Sequence, residues 1–328
     1  MQETQQTFSL ENEEGVTTLG LLWNPKNDQL QVKSNFTQGQ PTNSAASTKC
    51  KVLATTTSIF DPLGLLSPAF IAYKIFLQKL WQDKLQWDDL LPAHSQQEWN
   101  QLLQTIPKLL QLKINRKVIC SNATNIQIHG FCNSSECAYG ACLYICSTDN
   151  KKKTSCELLC STSKVAPLKQ LTIPRLELCT PTLLSKLYKK ATHALNITIN
   201  KSYLWTDYSI VFTLIQGPPN KWKTFVGNRV AIIQEETVSA MWRHVPSQSN
   251  PADLISRGIE LTTLTTSTLW WKGPQWLSQE PSSWPTTEVN IPIDNLEIIN
   301  VHMALLQPQE GITQRFSKLN KLISHRIL

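Results

Sequence analysis

The sequence predicts an α/β protein, a mixed sheet flanked by helices and preceded by a mainly helical region, and three observations carry that expectation. Three strand-length apolar runs follow one another in the middle of the chain. Helix-like and strand-like segments alternate after them, and before them apolar residues recur at helical spacing. With 328 residues, 41% apolar and 17% charged, the chain is globular and has room for two ordinary cores.

The elements follow in order. Thr17–Trp23 (TTLGLLW) reads as a short strand ending at the turn Asn24-Pro25-Lys26-Asn27-Asp28, with Leu30–Lys33 returning beside it. The polar stretch Ser34–Ser47 reads as a loop or linker. Asp61-Pro62-Leu63-Gly64 is a turn, and Pro68 can open a helix with Phe70, Ile71, Tyr73, Ile75, Phe76, Leu77, Leu80 and Trp81 on a broad apolar face. A second helix follows Pro92, carrying Trp99, Leu102, Leu103 and Ile106 on one side. The three strands are Ile126–Cys132, Ala138–Cys146 and Thr154–Thr162, with Asp149-Asn150 and the lysines at 151–153 forming a solvated turn. Then come a helix (Pro174–Leu195), a strand (Ile197–Trp205), a helix (Asp207–Gln216), a strand (Ser239–Val245) and a helix (Pro251–Arg257). The segment with Trp270, Trp271, Trp276 and Trp284 among Pro274, Pro281 and Pro285 reads as an extended linker before a short basic tail.

A net charge of +7 and a pI near 8.9 favour a polyanionic partner, of which nucleic acid is the commonest. No run approaches the ~18 apolar residues of a membrane span, and polar Met1–Gln6 does not open a secretory signal. The expectation is therefore an intracellular protein, cytoplasmic or nuclear, whose nine cysteines are free thiols. Cys132, Cys137, Cys142 and Cys146 have neither zinc-ribbon nor iron–sulfur spacing and read as small strand residues.

Chemistry has one candidate place. Glu177 sits near the start of a helix, Asp207 between a strand and a helix, and Asp253 at the start of the last helix. Carboxylates gathered at one end of a sheet stay ionised only if cations neutralise them, which points to divalent metal ions. The other reading is that each merely complements a helix dipole, worth ~0.3–1 kcal/mol. Spacing alone leaves both open.

Long runs in fixed order resemble the polymerase–ribonuclease H stretch of a BEL/Pao-type LTR retrotransposon Pol polyprotein. Ile128–Tyr144 (IHGFCNSSECAYGACLY) resembles the first hairpin of that family's ribonuclease H, and Ser163–Pro167 with Ile173–Leu178 (IPRLEL) its third strand and first helix. Trp205-Thr206-Asp207 and Trp242–Gly258 (WRHVPSQSNPADLISRG) resemble the two remaining signatures. Upstream, Leu19–Trp23 resembles the last strand of the polymerase palm, and Ser58–Pro68 (SIFDPLGLLSP) with Gln78–Trp81 the segment after it. The resemblance implies the end of the palm and a linker at 1–47, and a reverse-transcriptase thumb/connection-like helical region at 48–118. It implies a ribonuclease H-like domain at 119–260 and a Trp/Pro-rich linker and basic tail at 261–328.

Carried over residue by residue, the family's site falls on positions 133, 177, 207 and 253, with His244 assisting. Glu177, Asp207, Asp253 and His244 are present, but Asn133 stands where the family has Asp. An amide offers one carbonyl oxygen and no charge, so a bridging ligand for two Mg²⁺ or Mn²⁺ ions is lost. Two further departures are Tyr208, where Ser is usual, and Pro181 inside the helix that bears Glu177. Proline there clashes with the Glu177 carbonyl and costs ~3 kcal/mol, so the helix is expected to start late or kink.

These residues predict that Asn133, Glu177, Asp207 and Asp253 converge at one end of the sheet, with Glu177 and Asp253 on a common face. The expected function is binding of RNA–DNA hybrid or other nucleic acid, with impaired two-metal hydrolysis. Partners can include other parts of a retrotransposon polyprotein. The alternatives are an active ribonuclease H cleaving the RNA of hybrids, and an aspartic peptidase or protein-interaction scaffold. The family is also classed as a Pao retrotransposon peptidase family, yet Asp207-Tyr208-Ser209 lacks the glycine of Asp-Thr/Ser-Gly. No polymerase or integrase site is expected, since Asp88-Asp89 lies in a helical setting rather than a palm turn.

Overall fold

The structure, a computed structural model, describes residues 16–18, 21–32, 46–168 and 173–286. The basic tail and most of the polar stretch at 34–47 lie outside the described residues.

The front of the chain carries a small antiparallel sheet in the order β1 (Val16–Thr18), β2 (Leu21–Asn24), β3 (Gln29–Val32), β4 (Lys113–Asn115). The β2–β3 hairpin turns where the sequence expects it, because Asn24 Oδ1 accepts the N–H groups of Lys26 and Asn27. β4 was not anticipated. It comes from the region read as helical and pairs with β3 across some eighty residues of intervening chain.

Four helices separate β3 from β4: α1 (Lys49–Ser58), α2 (Ser67–Gln82), α3 (Ala93–Leu103) and α4 (Ile106–Leu110). Pro68 lies in the first turn of α2, and both Asp61 carboxylate oxygens accept N–H groups at its start, from Leu65 at 2.9 Å and Leu66 at 2.7 Å. The apolar face of α2 meets α3, with Phe76 stacked on Trp99 and the Tyr73 hydroxyl donating to the Leu102 carbonyl.

The main sheet contains β5 (Ala123–Ser134), β6 (Ala138–Asp149), β7 (Thr154–Val165), β8 (Lys201–Thr206) and β9 (Met241–His244), ordered β7-β6-β5-β8-β9. β5, β6 and β7 are antiparallel neighbours, whereas β8 and β9 join β5 in parallel. Parallel pairing needs crossover helices, supplied by α5 (Ile173–Ala194) before β8 and by α6 (Ser209–Gln216) and α7 (Thr224–Glu236) before β9. This is the expected ribonuclease H-like mixed sheet. α7 was missed, because Gly227 and the run Val230-Ala231-Ile232-Ile233 blur its helical signal.

Alternation assigns the faces of β5. Ile128 and Cys132 meet Leu184 and Tyr188 of α5 on one face. Phe131, with Tyr144, Tyr203 and Trp205, fills the other. That second face is covered by α2, α8 (Ala252–Arg257), α9 (Leu261–Thr266) and α10 (Thr268–Lys272). His129 also lies there, stacked on Tyr203 and Trp205, and complete burial pushes its imidazole down to about 3, so it is a neutral core residue.

Two expectations are corrected. The Trp/Pro segment is not an extended linker over residues 261–286: α9 and α10 are followed by 3₁₀ turns at Gln275–Ser278 and Pro281–Ser283. Pro274 and Pro281 fix the starts of those turns, Trp270 and Trp284 are buried, and Trp271 and Trp276 are partly buried. Trp270 donates its Nε1–H to the Leu65 carbonyl at 2.9 Å, while Trp276 lies 4.7 Å from Trp205 and Trp284 4.9 Å from Tyr203, centroid to centroid. Nor are all the thiols free. Cys146 and Cys156 face each other across β6 and β7 and are joined as a disulfide.

The front helices and the main sheet share one apolar core. Along their seam Ser161 N–H donates to the Leu63 carbonyl at 2.8 Å, Lys74 Nζ to Ser163 Oγ at 2.9 Å, and Gln78 Nε2 to the Ala166 carbonyl at 2.6 Å. Gly64 makes this approach possible: its φ is +66°, and a Cβ there would sit 2.1 Å from the Ser161 carbonyl oxygen.

Candidate active site

Asn133 lies next to the end of β5 and pairs with Gly140 of β6, which marks the end of the sheet where the candidate residues gather. Asp207 directly follows β8, and His244 closes β9. The Asn250 side chain anchors the start of α8 here, donating to the Cys132 carbonyl at 3.0 Å and accepting the Ala252 N–H at 3.1 Å. Ser135 Oγ donates to the Ser256 carbonyl at 2.6 Å, tying the other end of α8 to the β5–β6 hairpin. A Cβ on Gly140 would meet Ile255 of α8 at 2.3 Å, so glycine is what lets this helix lie so close to β6. Asp253 is thereby held over the end of β5.

The helices bearing Glu177 and Asp253 do not share a face, contrary to the sequence expectation. α5 packs with Ile128 and Cys132, α8 with Phe131 on the other side. The carboxylates approach each other around the sheet's end instead, with Asp207 between them: Asp207 raises the affinity of Glu177 for its proton, and Asp253 does the same to Asp207.

Pro181 neither delays nor breaks α5, which runs unbroken from Ile173 to Ala194. The Glu177 carbonyl, deprived of a partner by the missing proline N–H, takes the buried Thr180 hydroxyl at 2.8 Å.

Position 133 inverts the polarity of the site. Asn133 Nδ2 donates to Asp253 Oδ1 at 2.8 Å, and Arg257 Nε donates to the same oxygen at 2.7 Å from one turn along α8. Asn133 Oδ1 accepts the Ser134 N–H at 2.7 Å and has the Tyr208 hydroxyl 2.6 Å away. That hydroxyl is equally close to the Ser134 carbonyl, and burial pushes it up to about 12, so it is a neutral phenol.

Asp207 is the exception to this pairing. Its Oδ1 is buried without a hydrogen-bond partner. Burial raises its carboxyl above the ordinary range, Asp253 adds to the rise, and a bond from the Ser247 hydroxyl with the nearby His244 opposes it. His244 Nε2 is 3.1 Å from the Asp207 carbonyl. Glu177 is raised first by burial and then by Asp207.

Two divalent ions do not fit this donor set. A bridging ion needs acceptor oxygens open toward it, but Asn133 Oδ1 and Asp253 Oδ1 already take protein donors. Among the described residues no group of three or more His, Cys, Asp or Glu side chains is arranged to hold a metal ion.

A model of the Pao retrotransposon-like RNaseH-like domain matches residues 48–208. Those residues belong to that family. The matched Pao-type segment contains Asn133, Glu177 and Asp207, while His244 and Asp253 lie beyond it. It also begins at the front helices, in keeping with the shared core. No curated protein matches the chain. Among solved structures, the chain is similar to RNase H1 from the halophilic archaeon Halobacterium salinarum NRC-1, with 12% identity, TM-score 0.26, 39% of this chain and 90% of that one covered. It is similar to the N-terminal RNase H domain of Rv2228c from Mycobacterium tuberculosis, with 13% identity, TM-score 0.29, and 40% and 93% covered. It is also similar to a foamy viral protease-reverse transcriptase solved with double-stranded DNA, with 12% identity, TM-score 0.38, and 70% and 37% covered.

At this end of the sheet, sequence reasoning underrated Tyr208 and missed Ser134, Ser247 and Arg257. Arg257 had a legible signal, since Asp253 and Arg257 stand four apart on a helix. Ser134 acts through its backbone as well as its hydroxyl, which is 3.0 Å from that of Tyr208, and no side-chain pattern reveals the backbone part.

Proposed function

We propose that this chain is a nucleic-acid-binding protein of ribonuclease H lineage, taking RNA–DNA hybrid or another nucleic acid, with impaired two-metal phosphodiester hydrolysis. The observation that carries the reading is the Asn133–Asp253 hydrogen bond. A carboxylate at 133 would repel Asp253 and draw cations between them; the amide instead donates a proton there and makes the cation redundant. Tyr208 and Arg257 complete the replacement of cation by protein donor. Binding is supported by charge: residues 46–286 hold 25 lysines and arginines against 15 acidic residues, a sharper excess than the whole chain has. Among the described residues no helix is long and apolar enough to cross a membrane.

The test is cleavage of a labelled RNA–DNA hybrid by the full chain in Mg²⁺ or Mn²⁺. The parent should be on the order of 10²-fold or more below the Asn133→Asp/Tyr208→Ser variant, with Asn133→Asp alone giving a small gain. Robust cleavage by the parent, abolished by Asp207→Asn, would overturn the impaired-hydrolysis reading and leave an active ribonuclease H.

A further inference from the structure

We infer that the end of the main sheet opposite the candidate site is a docking surface for the phosphate backbone of nucleic acid. The inference deepens the nucleic-acid reading above and rests on it. Strand register places the parts. Ala123 at the start of β5 pairs with Asp149 at the close of β6, and Gln127 pairs with Lys201 at the start of β8, whereas Asn133 pairs with Gly140 at the other end. Lys151, Lys152 and Lys153 occupy the β6–β7 turn, where Asp149 Oδ1 accepts the Lys151 N–H at 2.8 Å and the Lys153 N–H at 2.9 Å. Lys117 comes just before β5: its Nζ donates to Ser121 Oγ at 3.0 Å, and the nearby Cys120 N–H donates to Ser147 Oγ of β6 at 2.9 Å. The last turns of α5 reach the same end and bring Lys190 with them, since Leu187 and Ala191 pack in one cluster with Ile119 and Ile126.

Lys117, Lys151, Lys152, Lys153, Lys190 and Lys201 are all exposed, and none makes an ion pair among the described residues. Lys189, beside Lys190, is held by Glu236 at 2.7 Å. The helix dipole accounts for Lys190 near the end of α5, but not for the five lysines that lie outside helices. Like charges gathered at one end repel each other, and a polyanion relieves that repulsion while releasing its own counterions. The opposite end carries Glu177, Asp207 and Asp253. Two divalent ions do not fit the donor set there, so those carboxylates repel a phosphodiester. The basic excess of the chain is therefore usable where those carboxylates are absent. Nucleic acid would be held by its backbone alone, away from the candidate site.

The experiment is an anisotropy titration of a labelled RNA–DNA hybrid with the full chain at several salt concentrations. Lys151→Gln/Lys152→Gln/Lys201→Gln is compared with Lys84→Gln/Lys164→Gln/Lys223→Gln, which removes the same charge from exposed positions elsewhere, Lys164 lying near the Asn133 end. The first triple should flatten the slope of log affinity against log salt by about 2, and weaken binding on the order of 10–100-fold near 0.1 M salt. The second should leave the slope unchanged, and Lys151→Arg/Lys152→Arg/Lys201→Arg should keep that of the parent. A slope that survives the first triple, or that both triples flatten alike, overturns this surface while sparing the nucleic-acid reading. Failure of the parent to bind, or binding indifferent to salt, overturns both.

Discussion

At the seam between α2 and β7, partly desolvated charge meets fixed donors and acceptors. Asp61 takes two backbone N–H groups and Lys74 takes the Ser163 hydroxyl and carbonyl. Burial still raises the Asp61 carboxyl and lowers the Lys74 ammonium; backbone N–H groups and Lys74 oppose the first shift, and the charge of Asp61 opposes the second. At the end of the sheet the same chain holds a half-buried carboxylate differently, because Asp207 keeps one buried oxygen with no donor and has two acidic neighbours. The seam spends its polar groups on holding two regions together. The site carries a cost that its own chain does not relieve, and folds keep such costs where function lies.

The largest effect that could break this contrast is expected at the seam. Gly64→Ala should destabilise the protein by ~3 kcal/mol or more, since φ is +66° and the new methyl meets the Ser161 carbonyl. A urea midpoint within experimental scatter of the parent would mean that the seam is not tight. Trp270→Phe should cost ~2 kcal/mol, because it removes the bond to the Leu65 carbonyl and leaves a void. Asp207→Asn should act in the opposite sense and add ~1 kcal/mol near pH 7. The sign follows from its raised carboxyl: stability is fully present below the ordinary value of 3.8 and is lost as pH rises through the folded-state value. The variant's advantage should therefore shrink toward zero as pH falls below that ordinary value. An advantage independent of pH would show that repulsion at the site is not its source. Pro181→Ala is the smallest, within ~0.5 kcal/mol of the parent, because Thr180 already serves the Glu177 carbonyl. A gain near ~3 kcal/mol would restore the full helix-interior penalty of proline.

The sheet was legible because β5, β6 and β7 are long, apolar and punctuated by polar turns, so period and turn chemistry agree. α1 and α7 were not, since Thr55-Thr56-Thr57 and the β-branched run around Ile232 carry weak helical propensity that tertiary packing overrides. The tail misled for another reason. Proline among tryptophans suggests extended chain, whereas Trp270 and Trp284 are buried against segments far away in sequence. At the site Glu177, Asp207 and Asp253 were legible as carboxylates at element ends, while Asn133 and His244 came from resemblance. What they bond to did not, because the Tyr208 hydroxyl and the Ser134 amide reach Asn133 through tertiary placement.

Trp276 and Trp284 lie over Trp205, Tyr203 and His129 like a clasp, though they follow the sheet they cover by dozens of residues. If this chain is released from a longer polypeptide, that arrangement constrains where a processing cut can fall. Scission between Gly258 and Trp284 would strip the aromatic face of β5 and β8 and present it to water, a sticky patch that invites aggregation. A cut after Trp284 would leave both indoles in place over that face.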